Sequence, residues 1–286
     1  MCIRDSAYTE TENELTVKAN KRTFIFSKKD GQLKGISVDN RKISFANGPR
    51  FIGARRADRS LDQFYNHDDE KAKEKDRTYS EFPDAAVFTK LDVKEDGGNL
   101  VVTANYKLGN LDKAQWTINP SGDLALDYTY NFSGVVDLMG IRFDYPEDQV
   151  ISKRWLGAGP YRVWQNRIHG TQYDVWENDY NDPIPGETFT YPEFKGYFGD
   201  VSWMNIQTKE GTISLTNETP DTYIGVYQPR DGRDRLLYTL PESGISVLNV
   251  IPPVRNKVNS TDLCGPSSQP KWVNGPQTGR VIFRFM

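Results

Sequence analysis

Short runs of period-two alternation, each closed by turn chemistry, recur along almost the whole chain. A strand sends successive side chains to opposite faces, so such a run can bury one face and wet the other. Lys21 to Ser27 places Phe24 and Phe26 on one face, Lys29-Asp30-Gly31 supplies a tight turn, and Leu33 to Val38 returns. Ala86 to Lys94, Glu95-Asp96-Gly97-Gly98 and Asn99 to Lys107 repeat the grammar, as do Ala114 to Asn119, Pro120-Ser121-Gly122-Asp123 and Leu124 to Phe132. The second half continues with Val150 to Leu156, Trp203 to Thr208, Thr212 to Asn217, Tyr223 to Tyr227, Gly244 to Ile251 and Arg280 to Phe285. Helical periodicity is confined to Asp68 to Asp76, which has no apolar face and reads as a solvated excursion between strands. Many strands without intervening helices predict an all-β, antiparallel sandwich. No repeat, linker or composition break divides it, so residues 21–286 are expected to form one domain behind a poorly ordered or artefactual segment 1–20.

Composition removes several functions. With 12% aromatic residues the chain can bury enough surface to fold, and a net charge of −3 offers no footprint for nucleic acid or an anionic membrane. No stretch approaches the roughly 20 apolar residues that a bilayer demands. Two cysteines, Cys2 and Cys264, and two histidines, His67 and His169, are too few for a conventional zinc cluster, and no cofactor is expected. The opening six residues resemble a translated adapter remnant. The chain therefore reads as a piece of a longer protein whose compartment is not encoded in it, with a periplasmic or secreted parent as the expectation.

Aromatic residues are concentrated between Trp155 and Trp203, where 49 residues hold four of the six Trp and 12 aromatics in all. Gly157, Gly159, Pro160, Pro183, Pro185 and Pro192 punctuate this stretch, which predicts a long stiffened loop region. Rings beside hydrogen-bonding groups suit sugar recognition, because the C–H face of a pyranose packs on the ring while polar groups hold its hydroxyls. Tyr161, Arg162, Trp164, Asn166, Arg167, His169 and Trp176 are the candidates for a carbohydrate-binding rim. The competing reading is that these rings fill the core under the loop, with Arg167 capping loop carbonyls or pairing a carboxylate. Asp174, Glu177, Asp179 and Asp182 are hard oxygen ligands at short spacing, a secondary reading as a calcium site, though without the EF-hand pattern. As neighbours in sequence they give no reason to expect the separation of about 5 to 10 Å that glycosidic catalysis requires. His67 and His169 as acid and base of a mutarotase or epimerase form an alternative; solvated surface histidines are the plainer reading.

Trp155-Leu156-Gly157-Ala158-Gly159-Pro160, followed by Trp164 and Arg167, resembles the Trp-x-Gly-x-Gly-Pro-x-Glu-x-Tyr-x-Asp-Arg signature of the C-terminal domain of glycoside hydrolase family 2 β-galactosidases. Phe24 to Ile36 resembles that domain's opening hairpin, and Tyr191-Pro192-Glu193 with Gly196 and Trp203 its Pro-Glu stretch. The resemblance implies a galactose-mutarotase-like super-sandwich that packs against an upstream catalytic barrel and completes a cleft for an oligo- or polysaccharide. Such a barrel needs about 250 residues of its own, so the catalytic carboxylates are not in this chain, and Glu193 joins the rim candidates. Arg162 stands where the family has Glu and Asn166 where it has Asp. Ser267-Ser268-Gln269 lacks the family's late-loop aromatic, a place that Trp272 is positioned to take. These departures bear on galactose specificity and leave the expected fold intact.

Overall fold

A computed structural model of the chain describes residues 6–56, 78–180, 195–227, 239–254 and 266–286. Within them lie 20 strands and two 3-10 turns, with no α-helix. The first sheet is opened by β1 (Ser6–Glu10), β2 (Glu14–Ala19), β3 (Arg22–Ser27), β4 (Leu33–Val38), β5 (Arg41–Ile43), β6 (Ala46–Arg56) and β7 (Tyr79–Glu81). The second is opened by β8 (Val87–Asp96), β9 (Asn99–Lys107), β10 (Leu111–Ile118) and β11 (Leu124–Val136), before β12 (Leu138–Asp144) returns to the first. Thereafter β13 (Val150–Gly159) and β14 (Gln172–Asp179) join the second, β15 (Phe198–Gly199) the first, and β16 (Trp203–Thr208) and β17 (Gly211–Asn217) the second. β18 (Tyr223–Val226) and β19 (Ile245–Val250) complete the first, and β20 (Lys271–Phe285) the second.

The first sheet runs β1-β2-β3-β4-β6-β12-β19-β18-β15, with β5 beside β4 and β7 beside β6; the second runs β14-β13-β16-β17-β20-β11-β10-β9-β8. Both ladders are antiparallel, and the expected all-β sandwich is what forms. Its core is aromatic: Phe45 stacks on Phe143 at 4.7 Å, and Trp116 meets Phe143 edge-on at 6.1 Å. Each buried ring of this kind stabilises the sandwich by roughly 1.5–3 kcal/mol.

The three hairpins of the first half form where the turn residues require them. Gly97 and Gly98 have φ of +57° and +84° between the paired Asp96 and Asn99, the two left-handed positions of a tight hairpin turn. Gly31, at φ +72°, lies under Phe88, where a Cβ would come within 2.7 Å of the ring.

Two sequence expectations are corrected. Of segment 1–20, expected to be poorly ordered or artefactual, the described residues 6–20 contain two paired strands, because Glu14 to Ala19 alternates: Leu15, Val17 and Ala19 are fully buried against the core. The region 155–203 is not one long loop. Gly159 pairs with Gln172, so β13 and β14 form a hairpin around loop 160–171, and Phe198–Gly199 pairs with β18. The charged run at 68–76, both cysteines, His67, Asp182 and Glu193 lie outside the described residues.

Candidate functional site

The corner that carries loop 160–171 is set by glycines that flank it. A Cβ on Gly157 would come within 2.9 Å of the Gly199 carbonyl oxygen, one on Gly159 within 2.4 Å of the Trp176 indole, and one on Gly196 within 1.9 Å of the Val163 carbonyl oxygen. The glycines of the Trp-x-Gly-x-Gly-Pro run are thus close-approach positions. Trp155 and Trp176 fix this corner: the Trp155 Nε1 donates to the Ala158 carbonyl at 3.0 Å, and the Trp176 Nε1 to the Gly157 carbonyl at 3.2 Å.

From there the loop is stitched to two distant segments. Val163 and Tyr197 exchange backbone hydrogen bonds at 2.7 Å. Gln165 donates from Nε2 to the carbonyls of Ser267 and Gln269, at 2.9 and 2.6 Å. Asn166 donates from Nδ2 to the Val254 carbonyl at 2.8 Å and accepts from the Val254 amide at 2.9 Å. That reciprocal pair needs an amide, with one donor and one acceptor, which a carboxylate cannot supply. Beneath the clasp, Trp164, Val163, Tyr197, Ile52, Leu248 and Val254 form a second, smaller core on the outer face of the first sheet.

Trp164, expected at a sugar-binding rim, is fully buried and meets Tyr197 edge-on at 5.8 Å; its ring faces the small core. Arg162 is also buried, its guanidinium 5.8 Å from the Phe198 ring centre. Asn166 spends its amide on Val254, and half-buried Trp176 covers Gly159. Tyr161 is half-buried, with its hydroxyl donating to the His169 carbonyl at 3.2 Å. Arg167 and His169 stand exposed on the loop. Tyr173 is 57% exposed, a ring the rim list lacks, with its hydroxyl 2.5 Å from that of Ser202. Trp272, at 71% exposure, lies on β20 just beyond the segment that Gln165 holds.

The expected carboxylate run is divided by strand alternation. Asp174 projects from one face of β14 while Glu177 and Asp179 project from the other, and Asp174 accepts a hydrogen bond from the Val175 amide at 2.7 Å. A single ion cannot be enclosed by all three of these side chains on a straight strand. Among the described residues, Arg167 and His169 of the loop, Tyr173 of β14 and Trp272 of β20 are exposed and offer hydrogen-bond donors and aromatic faces.

A family model described as β-galactosidase small chain matches residues 18–252. No curated protein matches the chain by sequence. Among solved structures, galactose 1-epimerase from Lactobacillus acidophilus NCFM is similar at 9% identity with a TM-score of 0.47, over 98% of each chain. A GalM/aldose epimerase homologue from C. elegans is similar at 8% identity with a TM-score of 0.37, over 98% of this chain and 99% of that one.

Proposed function

The chain belongs to the β-galactosidase small chain family, and we propose that it works as a non-catalytic, carbohydrate-facing domain of a glycosidase, closing one wall of a saccharide cleft beside an upstream catalytic barrel. The observation that carries this reading is the clasp: Gln165 ties loop 160–171 to the segment leading into exposed Trp272, and Asn166 ties it to Val254. A preorganised loop that presents a guanidinium to solvent and is tied to the segment before an exposed indole suits a sugar, since fewer groups must be ordered on binding. Trp272 packs on the C–H face of the sugar, Arg167 and His169 bond its hydroxyls, and the carboxylates that break the bond come from the barrel.

The test is complementation. The purified 286-residue chain is expected not to hydrolyse an aryl β-galactoside, and to restore hydrolysis to a family 2 catalytic portion that lacks its terminal domain. Trp272→Ala should raise KM about tenfold in that pair, the loss of one aromatic stacking contact. Enzyme-like turnover by the chain alone, or complementation indifferent to Trp272, would overturn the proposal.

A further inference from the structure

β4 and β6 share a single pairing, Leu33 with Gly48, while β12 runs along the opposite edge of β6 from Ala46 to Ala54. The first sheet therefore splits, and the split opens a cavity of about 580 Å³ whose lining includes Asp30, Arg50, Glu81, Phe82, Phe88 and Arg142. This lies within the ~300–1,000 Å³ of typical small-molecule sites.

Arg50 and Arg142 sit directly opposite one another in the β6–β12 ladder, so both side chains leave the sheet on the same side. Like charges so placed repel unless they are compensated. Both are compensated here: the Arg142 Nη2 meets the Glu81 Oε1 at 2.7 Å, and Arg50 pairs with the Asp144 carboxylate. Across the cavity Asp30 is paired with Lys34 at 2.8 Å. The lining carries three cations, Lys29, Arg50 and Arg142, against three carboxylates, Asp30, Glu81 and Asp84, for a net charge of zero.

That balance selects the ligand. A charged ligand would have to compete with the Arg142–Glu81, Arg50–Asp144 and Asp30–Lys34 pairs, in which Arg142 is the most shielded member at 15% exposure. Hydroxyl groups break nothing, because they donate to the spare lone pairs of the carboxylates and accept from guanidinium hydrogens. Phe82 and Phe88 are half-buried and supply apolar faces on the same cavity, with Phe88 held edge-on to Tyr106 at 5.9 Å. Paired guanidinium–carboxylate forks beside partly open rings are complementary to a molecule with hydroxyls on its edge and C–H groups on its face.

We propose that the β4–β6 crevice is a second saccharide-binding site, distinct from the loop end, that takes a neutral sugar between the Arg50, Arg142 and Glu81 forks and the Phe82 and Phe88 rings. It stands on the crevice's own chemistry and survives even if the loop end faces no sugar at all.

The whole chain is titrated with galactose, glucose, mannose, xylose, lactose and cellobiose by saturation-transfer NMR and calorimetry. At least one of these should bind. Arg142→Gln should weaken that binding about tenfold, and Phe88→Leu, which keeps an apolar side chain but removes the ring face, about fivefold. Trp272→Ala, at the other site, should leave it unchanged. If Arg142→Gln fails to fold, Phe88→Leu decides the matter. The proposal is overturned if none of the six sugars binds, if Phe88→Leu binds as wild type does, or if galacturonate or galactosamine binds more tightly than the neutral sugars.

Discussion

The loop end and the β4–β6 crevice use the same residue types to opposite purposes. At the loop end Gln165 and Asn166 spend their amides on backbone carbonyls and an amide and Trp164 is fully buried, while Arg167 and His169 stay exposed. In the crevice the polar groups pair with one another and still face a cavity, while Phe82 and Phe88 are only half covered. A clasp must satisfy backbone groups that would otherwise be stranded, whereas a binding surface must keep hydrogen-bonding capacity in reserve. The richest sequence motif of the chain belongs to the clasp, and the cavity with more of the chemistry of recognition has no motif.

If the loop-end aromatics are structural, removing one should hurt stability more than any change in the crevice. Trp164→Ala should cost about 4 kcal/mol in chemical denaturation, the range for deleting a buried Trp. A loss below about 1 kcal/mol would mean that the small core collapses around the gap, and the comparison would weaken. Next comes Gly159→Ala, where the new Cβ would lie 2.4 Å from the Trp176 indole. Overpacking of this kind costs about 1–3 kcal/mol, and loss of the normal Trp176 fluorescence should accompany it, because the indole must move.

Asn166→Asp is a sharper probe of the clasp. The variant keeps an acceptor for the Val254 amide but sets a carboxylate oxygen against the Val254 carbonyl, where Nδ2 now donates at 2.8 Å. It should cost about 1–2 kcal/mol at neutral pH, the penalty for one lost hydrogen bond and an unsatisfied acceptor. Asn166→Ser, too short to span the pair, should cost no less. A neutral outcome for Asn166→Asp would show that the stitch to Val254 contributes little to holding the loop.

The parts of this architecture that were legible in the sequence are those with local causes. The β3–β4, β8–β9 and β10–β11 hairpins announce themselves through alternation and through glycines that must take positive φ, such as Gly97 and Gly98. β14 did not, because it is an edge strand whose residues are exposed on both faces apart from Trp176 and Asn178, so Gln172 to Asp179 carries no apolar period. β6 hid behind Asn47, Gly48, Pro49 and Gly53, which read as breakers but sit where the chain crowds Phe143 and Phe51. The burial of Trp164 follows from tertiary contacts with Tyr197 and Val254 that no local window contains. The crevice is the extreme case. Arg50, Glu81 and Arg142 come from three strands, and it is the β6–β12 and β6–β7 ladders that bring them to one opening. Paired charges scattered over more than ninety residues look, one by one, like ordinary surface.

The smallest expected effect separates the two regions by pH. Burial raises the Asp30 carboxyl, but hydrogen bonds from Lys34, the Gln32 amide and Ser27, with the charge of Lys34, outweigh it and hold the group below its ordinary value of 3.8. A carboxyl depressed in the folded state contributes stability that is present above 3.8 and lost as pH falls through the folded value. The Asp30 side chain is 39% exposed, so screening limits that contribution to about 0.5 kcal/mol. Asp30→Asn should therefore be about that much less stable than wild type at neutral pH, and the two stability curves should converge as the pH drops below the folded pKa. Because the carboxylate is one of three that keep the crevice neutral, the same substitution leaves the lining with a net positive charge. It should shift the sugar preference toward galacturonate at neutral pH while leaving complementation through Trp272 unchanged. A stability gap between Asp30→Asn and wild type that persists below the folded pKa would assign the Asp30 contribution to the turn geometry of Ser27 to Gln32 and remove its charge from the account of the crevice.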